Sequence, residues 1–237
     1  MSTTLLLAGT VLLIGSIVQG TVGYGLNLVA GPILVLLDPM LVPVPVLLVA
    51  TVQAVNAAVR EFPHVDWRGV GWAMVGRLPG NLLGVLAVAT LPVLGFNLLV
   101  AFSVLACVAL SLITWTPRPT TRGLVLAGLA SGAFGTSASL GGPPMALLYQ
   151  NEKGPTVRAT LAAYFFLASM SSLVTLAVAG HVAGEHLHAA LVLLPFVLVG
   201  FVLSGPLRRH LDGGRMRIAV LTIATVGSMV LIVRSFV

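Results

Sequence analysis

The sequence predicts an all-α polytopic membrane protein, with about eight transmembrane helices in two pseudo-symmetric four-helix repeats that contain broken helices. Three observations lead there. Of 237 residues, 58% are hydrophobic and 8% charged, and the mean hydropathy is +1.09. A soluble domain carries about 25% charged residues, so this chain lacks the side chains to coat a water-facing globule. Its apolar residues fall into runs of about 20, the length a helix needs to cross a bilayer. Two of those runs share a pattern of Gly and Pro interruptions. The net charge of +6 does not make a nucleic-acid binder. The Lys and Arg residues stand at the ends of apolar runs, as membrane flanks do, and form no basic patch.

The segments follow in order. The first covers Thr4 to Leu37 and ends at Asp38-Pro39. Met1 to Thr4 carry no basic side chain and no clear cleavage site follows, so it reads as a membrane segment, not a secretory leader. The second runs Leu41 to Val59, up to Arg60-Glu61-Phe62-Pro63. The third covers Gly69 to Leu91 and the fourth Val93 to Thr114. A polar linker, residues 116–122, follows. The fifth runs Gly123 to Tyr149, the sixth Val157 to Ala179, the seventh Leu187 to Leu207 and the eighth Met216 to Val237. The expected organisation is therefore a first repeat over 1–115, the linker, and a second repeat over 123–237.

Segments 1 and 5 are too long and too rich in helix breakers for one straight span. A shift of 112 positions places Gly20 on Gly132, Gly23 on Gly135, Asn27 on Ser139 and Pro32 on Pro144. Such paired interruptions are the sequence mark of a chain built from two related halves. In hydrocarbon, irregular backbone survives only where protein buries it or where it lines a wet cavity. The breaks should therefore face a common site. Each exposes a helix N-terminus, whose free N–H groups and partial positive charge suit an anion. The candidate binding residues are Gln19, Gly20, Thr21, Gly23, Tyr24, Gly25 and Asn27 in the first break. In the second they are Gly132, Gly135, Thr136, Ser137 and Ser139, with Ser131 beside them. The competing reading is close helix packing by small residues alone.

Arg77 is the sharpest single residue. It lies about nine positions into segment 3, roughly 13 Å deep at 1.5 Å per residue. A charge there costs at least ~2.5–3.5 kcal/mol. It can attract a permeating anion with forked hydrogen bonds, or snorkel to the interface. Gly76, Gly80 and Gly84 around it recur every four residues and give a flat face for close packing. All six acids, Asp38, Glu61, Asp66, Glu152, Glu185 and Asp212, sit at segment ends. A cation pump or carboxylate-coupled carrier usually places one mid-span, so the site should be neutral to positive.

The remaining features exclude more than they assign. Cys107 is the single cysteine, so no intrachain disulfide or thiolate metal cluster forms. His181, His186 and His188 cluster between segments 6 and 7 and read as interfacial loop residues, with metal binding as the alternative. Six Lys and Arg against five on the two sides of the membrane, with a dense last loop, favour both termini outside. No P-loop, dinucleotide fingerprint or hydrolase elbow occurs. No cofactor and no enzymatic activity are expected. The expected partners are a small anion and the bilayer, with a second copy of the chain as a candidate and no nucleic acid.

The chain resembles the TauE/SafE family of bacterial membrane transporters, named for sulfite export. The resemblance is carried by Gln19-Gly20-Thr21-Val22-Gly23-Tyr24-Gly25 and its partner Ser131-Gly132-Ala133-Phe134-Gly135-Thr136-Ser137, each leading to a proline (Pro32; Pro143-Pro144). The Gly80-x-x-x-Gly84 stretch, the linker and the eight-segment layout fit as well. Where the family's breaks often hold three consecutive glycines, this chain has Gly23-Tyr24-Gly25 and Thr136-Ser137-Ala138-Ser139. The resemblance implies a secondary transporter of sulfite, sulfonates such as sulfoacetate, or related sulfur-containing anions across the cytoplasmic membrane. It also implies two four-helix halves forming one path. The alternatives are transport of another small organic anion, a non-transporting membrane scaffold, and an enzyme using the His181–His188 loop.

Overall fold

A computed structural model describes residues 3–22, 25–112, 118–152, 154–207 and 213–236. These residues form helices α1 (Thr3–Val22), α2 (Leu26–Leu37), α3 (Val44–Glu61), α4 (Trp67–Thr90) and α5 (Val93–Leu112). After the linker come α6 (Thr121–Ala138), α7 (Gly142–Tyr149), α8 (Gly154–Val178), α9 (Gly184–Leu207) and α10 (Gly213–Ser235). Two single turns of 3-10 helix, Pro39–Leu41 and Phe62–His64, join α2 to α3 and α3 to α4. No strand occurs among the described residues. Seven stretches are helical, long and apolar enough to cross a membrane, and the shorter apolar α2 accompanies them. The protein is a multi-pass membrane protein.

Elements end where local chemistry ends them. Asp66 caps α4, its Oδ1 accepting from Gly69 N at 2.9 Å, which satisfies an orphan N–H of the first turn. Thr120 does the same for α6 through Gly123 N at 3.2 Å. Asp38 stops α2 in extended backbone and accepts from Met40 N. Segment 1 divides at Gly25, whose φ of 124° favours glycine. Segment 5 divides at Ser139, which caps α6 in left-handed conformation with φ 61°.

The ends of α2 and α7, Leu37 and Tyr149, keep the 112-residue spacing read from the sequence, whereas their starts, Leu26 and Gly142, lie 116 apart. The prolines account for this. Pro143 and Pro144 open α7, where a missing N–H costs nothing, while Pro32 lies inside α2. Asn27 and Ser139, paired by the shift, do not occupy equivalent positions. They touch each other: Asn27 Nδ2 donates to the Ser139 carbonyl.

The helices pack in crossed pairs. α4 lies along α6 and α1 along α9, while α3 meets α8 and α5 meets α10. The α4–α6 crossing is glycine on backbone. A Cβ on Gly76 would fall closer than 3.0 Å to the Val125 carbonyl, and one on Gly128 closer than that to the Ala73 carbonyl. Gly80 and Gly132 interlock one turn further along. Backbones this close exchange dispersion contacts and weak Cα–H···O bonds, which drive association where lipid removes the hydrophobic effect. The outer faces of α4, α9 and α10 expose Leu82, Leu86, Leu191, Val202 and Ile218, as lipid-facing surfaces do. Inside, α2 is among the most buried elements, with Leu26, Leu28, Ala30 and Leu34 packed into the principal apolar cluster.

Candidate functional site

Both breaks open onto one cavity of about 60 Å³. At 10–15 Å³ per water, that is room for roughly four to six water-sized groups. From the first break, Gln19, Gly25, Asn27 and Leu28 line it. From the second come Gly135, Ser139, Gly141, Gly142 and Pro143. Leu140 also lines it, as do Leu47 and Ala50 of α3, Arg77 of α4, and Phe165, Ala168 and Ser169 of α8. The start of α2 and the start of α7 thus both meet the cavity. Neither Gly25 nor Gly141 supplies a side-chain cap. Gln19 Oε1 accepts from Leu26 N at 3.3 Å and ties the end of α1 to the start of α2. In α7, Pro143 and Pro144 remove two first-turn N–H groups, so the second break offers fewer donors than the sequence reading expects.

Arg77 stands at the cavity wall, only 1% exposed. The guanidinium does not run along α4 but turns inward to α6 and α8. Nε donates to the Ala168 carbonyl at 3.2 Å and Ser171 Oγ at 3.3 Å. Nη1 donates to the Ser131 carbonyl at 2.9 Å, Ser131 Oγ at 2.8 Å and Tyr164 Oη at 3.3 Å. Nη2 donates to Ser172 Oγ at 2.8 Å. The Tyr164 ring centroid lies 5.7 Å from Cζ, within cation–π range. All these partners are neutral. No carboxylate pairs with Arg77 among the described residues, so its charge is solvated by dipoles and left uncompensated.

A second layer fixes these dipoles. Ser131 Oγ donates to the Gly141 carbonyl at 2.6 Å, joining the arginine to the start of α7. Thr136 Oγ1 donates to Asn81 Oδ1 at 3.0 Å and lies 2.7 Å from Ser172 Oγ. Asn81 Nδ2 donates to Ser171 Oγ at 3.0 Å. Gly135 and Gly141 leave the space the guanidinium needs. A Cβ on Gly135 would lie 2.9 Å from Nη2, and one on Gly141 3.2 Å from Nη1. Gly135→Ala should therefore displace the guanidinium and weaken anion binding about tenfold, the effect of one charge-assisted hydrogen bond. Titration of purified variant against wild type checks this, and equal affinities would remove the steric argument.

The sequence-derived candidates separate into three groups. Gln19, Gly25, Asn27, Arg77, Gly135 and Ser139 line the cavity. Gly20, Thr21, Gly132, Thr136 and Ser137 do not. Gly20 packs against Ser204 of α9, and Gly132 against α4 backbone. Thr21 and Ser137 bond carbonyls of their own helices, and Thr136 sits in the layer behind Arg77. Gly23 and Tyr24 lie outside the described residues, as do Lys153, Arg208, Arg209 and Asp212 among the flanking charges. Sequence reading missed Asn81, Tyr164, Ser171 and Ser172. The signal for Asn81 was its place one turn after Arg77, and for the serines the hydroxyl run Ser169-Met170-Ser171-Ser172 in mid-span.

Ionisable side chains inside a membrane bundle, facing a polar cavity, mark solute pathways. That arrangement is the architecture of a polytopic membrane transporter. Over residues 7–231 the chain matches the family model described as sulfite exporter TauE/SafE, and it belongs to that family of transporters. No curated protein and no solved structure matches it.

Proposed function

We propose that the chain is a secondary carrier of a small sulfur oxyanion of the sulfite class in the cytoplasmic membrane, working by alternating access to the Arg77 cavity. The observation that carries this reading is the uncompensated guanidinium on the wall of a cavity where two broken helices meet. Gln19, Gly25, Asn27, Gly135 and Ser139 shape the site around it. A sulfur with three oxygens fits about 60 Å³. The shared order of helices on either side of the linker supports a carrier of two repeats, 1–115 and 123–237, with the breaks at related places.

The test is a thermal-stability screen of purified protein against sulfite, sulfate, thiosulfate, taurine, sulfoacetate and carboxylates. A ligand that binds the folded state raises the melting temperature as its concentration passes its Kd. Sulfite should give the largest shift, and proteoliposomes should show sulfite flux. Equal shifts from carboxylates would assign a different anion. Absence of any flux would favour a membrane scaffold.

A further inference from the structure

We propose that the species bound beside Arg77 is a singly charged, protonated oxyanion, hydrogen sulfite and not the sulfite dianion. This rests on the reading of the cavity as an anion site and concerns the protonation state of what it holds. Two independent observations carry it.

The first is charge balance. Arg77 is the one cation among the described residues that line the cavity. Its hydrogen bonds go to uncharged hydroxyls and carbonyls, so one positive charge is available. A monoanion brings the site to neutrality. A dianion leaves a net negative charge at membrane depth, where an unpaired charge is strongly disfavoured.

The second is an orphaned acceptor. Asn27 lines the same cavity. Its Nδ2 donates to the Ser139 carbonyl, which fixes the orientation of the amide. Its Oδ1 is buried and has no hydrogen-bond partner among the described residues. A buried acceptor left bare is costly, and each such group in a native structure calls for an explanation. A fully deprotonated oxyanion is all acceptor and repels it. An oxyanion that still carries its proton can donate to it. A single guanidinium and a single bare amide oxygen are complementary to one charge and one donor.

The pH dependence then belongs to the ligand. The described lining residues of α1, α2, α3, α4, α6, α7 and α8 include no Asp, Glu, His or Lys. Tyr164, whose hydroxyl accepts from Arg77, and Cys107, whose thiol meets the Leu140 carbonyl, are titratable side chains in contact with lining residues.

The experiment measures binding to the purified full-length protein from alkaline to mildly acidic buffer. The probes are sulfite, sulfate, and chlorate, which is pyramidal and singly charged like hydrogen sulfite but has no proton to donate. Apparent affinity for total sulfite should rise in proportion to the hydrogen sulfite fraction, while affinity for chlorate stays level. Hydrogen sulfite should bind roughly ten- to hundredfold more tightly than chlorate, the worth of a donor to a buried unpaired oxygen. Asn27→Leu should bring that ratio towards one. Sulfite affinity that is flat or grows with alkalinity, or chlorate binding as tight as hydrogen sulfite, overturns the proposal while the anion site stands. Binding by none of the probes removes the anion site as well. The wild-type titration decides the matter even where Asn27→Leu fails to fold.

Discussion

Replacing Arg77 with Ala should lower sulfite flux about hundredfold or more, while the protein still inserts and folds. The loss follows from the site's positive charge and from the one Nη2 N–H that the guanidinium's hydrogen bonds leave for an anion, a charge-assisted hydrogen bond worth ~1.5–3 kcal/mol. Retention of the fold follows from what remains. Arg77 has no carboxylate partner among the described residues, so its removal strands no opposite charge. Ser131 still bonds Gly141, and Thr136 still meets Ser172. The variant also sheds an insertion cost of at least ~2.5–3.5 kcal/mol. Arg77→Lys should be intermediate, because an ammonium keeps the charge but lacks the planar fork that reaches α6 and α8 together. Flux in proteoliposomes, normalised to inserted protein, measures the effect. Full transport by the Ala variant would refute the assigned role of Arg77.

The largest stability effect should come from Gly128→Val. Its Cβ would fall closer than 3.0 Å to the Ala73 carbonyl, with the Ala73 carbon and Cα close behind. Backbone cannot rotate aside as a side chain can, so α4 and α6 would have to separate. Overpacking commonly costs about 1–3 kcal/mol and occasionally more. Here it strikes a crossing where Gly76 makes the reciprocal approach to Val125. With the cost at the upper end, about 3 kcal/mol, and ~2–4 °C per kcal/mol for a chain of this size, the melting temperature should fall by about 6–12 °C. Gly71→Ala is the control. It lies on the same α4, a Cβ there meets nothing within 4 Å, and alanine is the better helix former. Equal melting temperatures for the Gly128→Val variant and the wild-type protein would show that the crossing tolerates separation.

Much of the fold was legible because bilayer physics reads directly as sequence. A run of about 20 apolar residues bounded by charges leaves few choices, and α3, α4, α5, α8, α9 and α10 lie where the runs place them. The breaks were legible for the same reason: Gly25 and Gly141 stand in stretches that could not continue as straight helix. Arg77 declared itself by its cost. Faces were harder to read. Gly20 and Gly25 look alike in sequence, yet one seats a neighbouring helix and the other lines a cavity. The hydroxyls of α8 escaped notice because Ser in a membrane helix can bond its own preceding turn, as Ser169 does. What marks Ser171 and Ser172 is the approach of a guanidinium from a helix more than 90 residues away in sequence, and no local pattern encodes that.

On the proposed cycle, the lack of a carboxylate beside Arg77 among the described residues also sets the electrical behaviour. A carrier whose empty site holds one positive charge, and whose occupied site is neutral, feels the transmembrane potential on only one limb. That potential is worth ~2.3 kcal/mol per elementary charge for each 100 mV crossed. Voltage would then bias the return of the vacant site and leave the loaded step alone, so an energised cell could set the direction of turnover with no acidic sodium or proton seat among the described lining residues.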